Sequence, residues 1–253
     1  MSDPRTCLFA TKQLAVDFIL REWQDAAKKA IGQKGRFVVA LSGGKTPVDF
    51  YRKLSKQKFS YWNKTHIFQV DERYVAPDDA DSNFRTLKRI LVSKIPALAK
   101  NTYPMVSRNS SIEKDAQAYA FKMKEFFHLK EGERPCFDLI LLGIGQDGHT
   151  ASLFSKGPSL REKERFVTIS HSSKHPHERL TLTLPVINYA KQVIFLVTGQ
   201  DRADIIRRIF AGEKRLPAGY VAPQEGRLTF CIDQEAASEL PFWRHFFKQG
   251  GKK

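Results

Sequence analysis

The sequence predicts an α/β layered fold built on a mainly parallel sheet, and three observations carry that expectation. Strand-length apolar runs alternate with helical stretches along the chain, the order that builds parallel sheets. The run Phe137-Asp138-Leu139-Ile140-Leu141-Leu142 is almost continuously apolar, as in a strand covered on both faces. Three strands end in loops of unusual chemistry, at residues 42–46, 71–73 and 143–149. Ligands of such sheets sit beyond the carboxyl ends of the strands, so these loops are expected to converge on one site.

The elements follow in order. Leu14, Phe18, Ile19, Trp23, Ala26, Ala27 and Ala30 recur at helical spacing, with Gly32 ending the pattern. Phe37-Val38-Val39-Ala40-Leu41 is a buried strand. It leads through a glycine turn to a helix over 47–54, with Thr46 as N-cap and Pro47 in the first turn. His66-Ile67-Phe68-Gln69-Val70 is a second strand and runs straight into Asp71-Glu72-Arg73. Ser82-Asn83 can cap a helix carrying Phe84, Leu87, Ile90 and Leu91, and another helix covers about 111–127. Beyond the 137–142 strand come strands at 165–170, 179–184 and 193–197, a helix over 203–210 and a strand at 228–232. Helical segments are expected from about 233 to 248, with 248–253 as a frayed tail. No repeat or linker interrupts residues 1–253, so one domain is expected.

Composition narrows the class of function. No run of about eighteen apolar residues could span a bilayer, and the start Met1-Ser2-Asp3-Pro4-Arg5 lacks the basic-then-apolar order of a secretory signal. The three cysteines, Cys7, Cys136 and Cys231, are odd in number and far apart. They read as buried thiols of a reducing compartment. The net charge of +15 raises nucleic acid as a ligand, but Lys and Arg are dispersed apart from a short cluster at the end of the chain. A small phosphorylated substrate needs only two or three of these cations; neither a nucleic-acid nor a membrane partner is expected.

Gly44-Lys45-Thr46 matches the end of a nucleotide P-loop, whose first glycine would fall at Val39, inside an apolar run. The nucleotide reading fails. Ser42, Gly43, Gly44, Lys45 and Thr46 nonetheless form a glycine turn before a helix, a site suited to an anion. Gly143-x-Gly145-x-x-Gly148 has dinucleotide spacing, yet Thr168-Ile169-Ser170-His171 offers no acidic residue about twenty positions on. No nicotinamide cofactor is expected.

His149 is the more informative residue of that loop. The glycines before it let a substrate approach the backbone, and Asp147 is placed to orient the imidazole or to shape the turn. A neutral imidazole, which ordinarily titrates near ~6.5, is a competent general base. Arg73 and Arg179 stand at strand ends as candidate partners of an anionic group, and Lys45 is a third. Asp71 belongs to the same strand-end segment as Arg73. His171, His175 and His177 share one loop without the spacing of a zinc site, so no metal is expected. Ser42 and Ser152 are conceivable nucleophiles, but neither sits in Gly-x-Ser-x-Gly, and Ser42 better suits cradling the anion.

The stretches LSGGKTP, DERYVAPDDADSN, GIGQDGHTASLF and RLTLTLPVINYAKQVIFLVTG resemble, in order and spacing, the 6-phosphogluconolactonase family. The resemblance runs from about Thr11 to Leu240. It implies a cytosolic enzyme of the oxidative pentose phosphate pathway that hydrolyses 6-phospho-D-glucono-1,5-lactone. It also implies a Rossmann-like three-layer fold shared with glucosamine-6-phosphate isomerases. No cofactor is expected, and of the oligomeric states, which the sequence does not fix, a monomer is favoured. Carried over, His149 is the base, Asp147 its partner and Arg73 an electrostatic participant. Residues 42–46 and Arg179 then line the substrate's anionic side, and Asp71 is a further substrate-binding residue. Three positions depart from the family's pattern. Lys45 stands where a small residue is frequent, Ser155 where proline is common, and Arg202 where lysine is usual. Isomerases of the superfamily carry a glutamate soon after the equivalent histidine, and Thr150-Ala151-Ser152-Leu153-Phe154 supplies none. A sugar-phosphate isomerase or deaminase and a non-catalytic sugar-phosphate sensor are the alternative readings.

Overall fold

A computed structural model describes residues 3–107, 111–172, 176–213 and 215–241. The chain runs β1 (Arg5–Phe9), α1 (Lys12–Lys34), β2 (Phe37–Leu41), α2 (Val48–Leu54), β3 (Thr65–Gln69), β4 (Asp71–Arg73), α3 (Asn83–Ile90), β5 (Thr102–Tyr103), α4 (Ile112–Phe127) and β6 (Leu139–Leu142). It continues with β7 (Val167–Ser170), β8 (Arg179–Leu182), α5 (Leu184–Ile187), β9 (Gln192–Val197), α6 (Ala203–Phe210) and β10 (Arg227–Asp233).

Seven strands form a sheet in the order β1-β10-β9-β6-β2-β3-β5, and every pairing in it is parallel. Side chains alternate across this sheet. Phe37, Val39, Leu41, Leu139, Leu141, Ile194 and Leu196 pack with the apolar face of α1 and with α2. Val38, Ala40, Ile140, Leu142, Val193 and Phe195 face the opposite way, toward α4 and a second sheet. Three layers follow from that period of two. Trp23 of α1, fully buried, meets Phe37 edge-on at 5.0 Å and anchors the first interface.

The order of the strands places the site. From the central neighbours β2 and β6, the sheet is completed through β3 and β5 on one side and through β9, β10 and β1 on the other. The loops leaving β2 and β6 therefore part at their carboxyl ends and open a crevice, the usual ligand position in such sheets. The loops at 42–46 and 143–149 are the ones that leave there.

Several expectations are corrected. α1 runs past Gly32 to Lys34 and ends at Gly35, whose φ of 74° supplies the left-handed cap. α2 starts at Val48, with Pro47 in the cap position and no side-chain cap bond, so Thr46 is not an N-cap. The segment Asp71–Arg73 is no loop. It is the edge strand of a second, antiparallel sheet ordered β4-β8-β7, which the sequence reading did not contain. Of the thiols, Cys231 is buried while Cys7 and Cys136 are partly exposed, and all three are free. Residues 234–241 form turns where helix was expected, and the rest of that expected helix to about 248, with the tail at 248–253, lies outside the described residues. Among the described residues no helix is long and apolar enough to cross a membrane.

Ser82 caps α3 as anticipated, accepting from the Arg85 N–H at 3.1 Å. Glu72 completes that helix end from the neighbouring sheet. Its carboxylate accepts from the backbone N–H groups of Asn83 (2.7 Å), Phe84 (2.7 Å) and Arg73 (2.8 Å), and from Gln69 Nε2 (2.9 Å). Burial pushes the Glu72 carboxyl up, against the lowering effect of those donors. Glu72→Gln turns an acceptor into a donor facing N–H groups. Charged hydrogen bonds of this kind are worth roughly 1.5–3 kcal/mol, so urea unfolding is expected to show a loss of about 2 kcal/mol. An unchanged midpoint would show that this carboxylate does not hold α3.

Candidate active site

The turn after β2 is tied down on both sides. The Ser42 N–H donates to the Leu141 carbonyl of β6 at 3.2 Å, and the Ser42 carbonyl accepts from the buried Tyr51 hydroxyl at 2.5 Å. Gly44 has φ +84°, a conformation that side chains other than glycine's rarely adopt. No acceptor among the described residues takes the N–H groups of Gly43, Gly44, Lys45 or Thr46. α2 is too short to act as an anion-binding helix, so the turn itself supplies the donors. Successive free N–H groups in such a turn form an anion cradle.

The loop after β6 folds back on itself. Gly145 N–H donates to the His149 carbonyl at 2.8 Å, Gly148 N–H to the Gly145 carbonyl at 2.9 Å, and Thr150 Oγ1 to the Gly143 carbonyl at 2.9 Å. Asp147 Oδ1 accepts from the His149 N–H at 3.2 Å and lies 2.5 Å from His149 Nδ1. That carboxylate keeps the proton on Nδ1 and leaves Nε2 as the basic nitrogen. Burial pushes the Asp147 carboxyl up, but the hydrogen bond and charge of His149, with the backbone N–H groups, overrule it and hold it well below the usual carboxylate range. For the carboxylate's own titration, the depression contributes stability that is present above the ordinary carboxylate pKa and lost as pH falls through the native one. Gly145 leaves room for the pair: a Cβ there would lie 2.2 Å from His149 Nδ1 and Cε1 and 2.8 Å from Asp147 Oδ1.

The second sheet brings the arginines. Arg73 of β4 and Arg179 of β8 are directly opposite in the antiparallel register. Like charges so placed repel. Arg73 Nη1 donates to the Asp81 carbonyl at 2.6 Å, and Arg179 Nη1 reaches Ser152 Oγ at 3.4 Å. The Nε atoms of both are buried without a partner among the described residues. Burial pulls the Arg179 guanidinium down, the charge of Asp71 opposes this, and Arg73 adds to the lowering. Asp71, also buried, accepts from Ser152 Oγ at 2.7 Å. Ala151, with φ 51°, turns the chain between His149 and Ser152. The stretch that bears the histidine is thereby bonded to the sheet that bears the arginines.

These parts enclose one cleft of about 270 Å³. Its walls include Ser42, Gly43, Gly44, Lys45, Thr46, Asp71, Arg73, His149 and Arg179, all singled out from the sequence. Asp147 stands behind the histidine and is not part of the wall. Three residues that the sequence placed in other roles join the site. Asn83 at the start of α3 lines the cleft, Ser152 bridges Asp71 and Arg179, and Arg202 lines it from beyond β9. Arg202 is held by the Ile144 carbonyl at 2.7 Å and by Asp201 at 2.5 Å. Its position after the Thr-Gly that follows β9 is the one sequence signal that pointed to it. Of the histidine loop set aside above, His177 pairs with Asp81 at 3.0 Å and His175 lies outside the described residues. No cluster of three metal-binding side chains occurs among the described residues.

Comparison with known proteins bears on this geometry. The model of a family described as glucosamine-6-phosphate isomerases/6-phosphogluconolactonase matches residues 10–230. A 6-phosphogluconolactonase of Synechocystis is 38% identical over 240 residues, covering 94% of this chain and 98% of the relative. The human 6-phosphogluconolactonase is 36% identical over 235 residues, covering 88% of each chain. The solved 6-phosphogluconolactonase of Trypanosoma brucei superposes with TM-score 0.84 at 27% identity, covering 95% of this chain and all of that one. A monomeric glucosamine-6-phosphate deaminase shares the fold at TM-score 0.77 and 20% identity, covering 93% of this chain and 99% of its own.

Proposed function

We propose a mechanism from the family this chain belongs to, the glucosamine-6-phosphate isomerases/6-phosphogluconolactonases, and from the lactonases it matches within that family. The activity is that of a 6-phosphogluconolactonase of the pentose phosphate pathway, opening 6-phospho-D-glucono-1,5-lactone with water to 6-phosphogluconate. The observation that carries the mechanism is the histidine–carboxylate pair set on a glycine loop at the wall of a cleft lined by four cations.

His149 Nε2 takes a proton from water as the water oxygen bonds to the lactone carbonyl carbon. Asp147 holds the ring orientation and stabilises the imidazolium that forms. The carbonyl oxygen becomes a tetrahedral oxyanion, and the opposed guanidiniums of Arg73 and Arg179 supply positive charge to it. When the intermediate collapses, the bond from carbon to the ring oxygen breaks, and the imidazolium returns its proton to that oxygen. The new carboxylic acid ionises, releasing one proton per turnover. The donors of the 43–46 turn, with Lys45 at the rim and Arg202, hold the phosphate. Asp71 and Ser152 fix Arg179 in place. These groups come from both sheets; the working unit is read as a single-domain monomer acting in the cytosol.

Proton release from freshly prepared lactone, corrected for spontaneous opening, tests this directly. Catalysed release is expected, and EDTA is expected to leave it unchanged, because the lactone carbonyl is already electrophilic. Glucosamine 6-phosphate is expected to yield no ammonia, since no carboxylate follows His149 within residues 150–154 to assist isomerisation. Ammonia production without proton release would reverse the assignment to the deaminase side of the family. Binding without either reaction would make the protein a sensor.

A further inference from the structure

We infer that Asn83 is a specificity-determining residue, its side-chain oxygen accepting a hydrogen bond from a ring hydroxyl of the lactone. The inference rests on the lactonase reading above. Asn83 is 4% exposed and lies in the cleft wall. Its Nδ2 donates to the Asp71 carbonyl at 3.1 Å. A carbonyl can only accept, so this bond settles which end of the amide carries oxygen. Oδ1 is then a buried acceptor that no donor among the described residues reaches. The side chain is not a helix cap, because Ser82 and Glu72 already fill that role.

The amide occupies the space beside the Gly43 backbone where a side chain would begin. A Cβ on Gly43 would come within 1.9 Å of Asn83 Cγ and 2.0 Å of Oδ1. Glycine at 43 is therefore the condition for the amide to occupy this place. The neighbouring cleft residue Ser42 repeats the pattern, with a side-chain oxygen that is buried and unpartnered among the described residues.

The charges around the cleft sort its ligands. Arg73, Arg179, Lys45 and Arg202 are donors only, matched to phosphate and oxyanion. An amide oxygen has nothing to give either group; facing phosphate oxygens it would only repel them. What it pairs with is a neutral hydroxyl, which donates to the amide and can accept from a neighbouring cation. The lactone carries such hydroxyls at C2, C3 and C4. A substrate lacking the matching one leaves a desolvated acceptor unpaired, a loss of roughly tenfold to a hundredfold in kcat/KM.

The test compares 6-phosphogluconolactone with its 2-, 3- and 4-deoxy counterparts, each made fresh by oxidising the deoxyglucose 6-phosphate. In the wild type, one deoxy lactone is expected to fall roughly tenfold to a hundredfold below the other two. Asn83→Ala is expected to remove that gap by slowing the parent lactone while leaving the affected deoxy lactone almost unchanged. Asn83→Ser, well tolerated at a helix start and too short to place an oxygen where Oδ1 sits, serves if the alanine variant does not fold. Equal rates for all three deoxy lactones in the wild type would overturn the inference, as would a gap that survives in the Asn83 variants. Failure to open any lactone, the parent included, would instead overturn the lactonase reading.

Discussion

Replacing His149 with alanine is expected to lower kcat by roughly 10²–10⁴-fold while product affinity changes far less. The imidazole is the group in the cleft wall placed to take up a proton, oriented by the hydrogen bond its Nδ1 makes to Asp147 at 2.5 Å. The other wall residues with charge are cations or the Asp71 carboxylate, which is committed to Ser152. Removing the ring leaves water without a proton acceptor at the carbonyl, whereas the phosphate donors of the 43–46 turn are untouched. Initial rates must be read against spontaneous opening, which sets a floor under any variant. A folded His149→Ala protein with wild-type turnover above that floor would take the residue out of the mechanism.

Gly145→Ala is expected to cost roughly 10²-fold in kcat, although position 145 supplies no side chain to the reaction; displacements of about an ångström in a reacting group carry losses of that size. The backbone at 145 is not in the left-handed region, so alanine fits it without strain. The penalty is one of space: the new methyl would overlap the imidazole at 2.2 Å and crowd the Asp147 carboxylate at 2.8 Å. The ring must swing, and the pair that fixes its tautomer separates. Gly143→Ala supplies the contrast, since a Cβ there meets nothing within 4 Å. Thermal unfolding near the wild-type midpoint with kcat depressed only in the 145 variant is the expected pattern. Equal losses in both variants would mean that loop flexibility, and not the seat of the histidine, is at stake.

Much of this was legible in the chain. The buried strand at 37–41, the Ser82 cap and the helix at 203–210 appear where local pattern put them, because apolar period and capping chemistry act over a few residues. The strand Asp71–Arg73 was not legible: three charged residues show no alternation, and their pairing partner lies more than a hundred positions away at Arg179–Leu182. The end of α1 was misplaced because its buried face stops at Ala30, while the helix goes on through exposed residues until Gly35 can take a positive φ. Within the site, residues on glycine or charge motifs stood out. Ser152 was weighed only as a nucleophile and Asn83 only as part of a helix cap, since the bonds to Asp71 that give them their place span 81 and 12 positions. Polar residues of that kind acquire a role only once the fold has brought their partners to them.

The stitch between Ser152 and Asp71 also has a meaning in time. Each sheet can gather its own strands, but the cleft exists only when the loop after β6 has closed onto the edge strand β4, across 81 residues of chain. Closing a loop of that length spends chain entropy before any contact rewards it. The base and the guanidiniums come into register only once that contact is made, so a chain with helix and sheet in place but this contact open is still without a working site. Catalytic competence reports completion of the fold, and secondary structure reports only its approach.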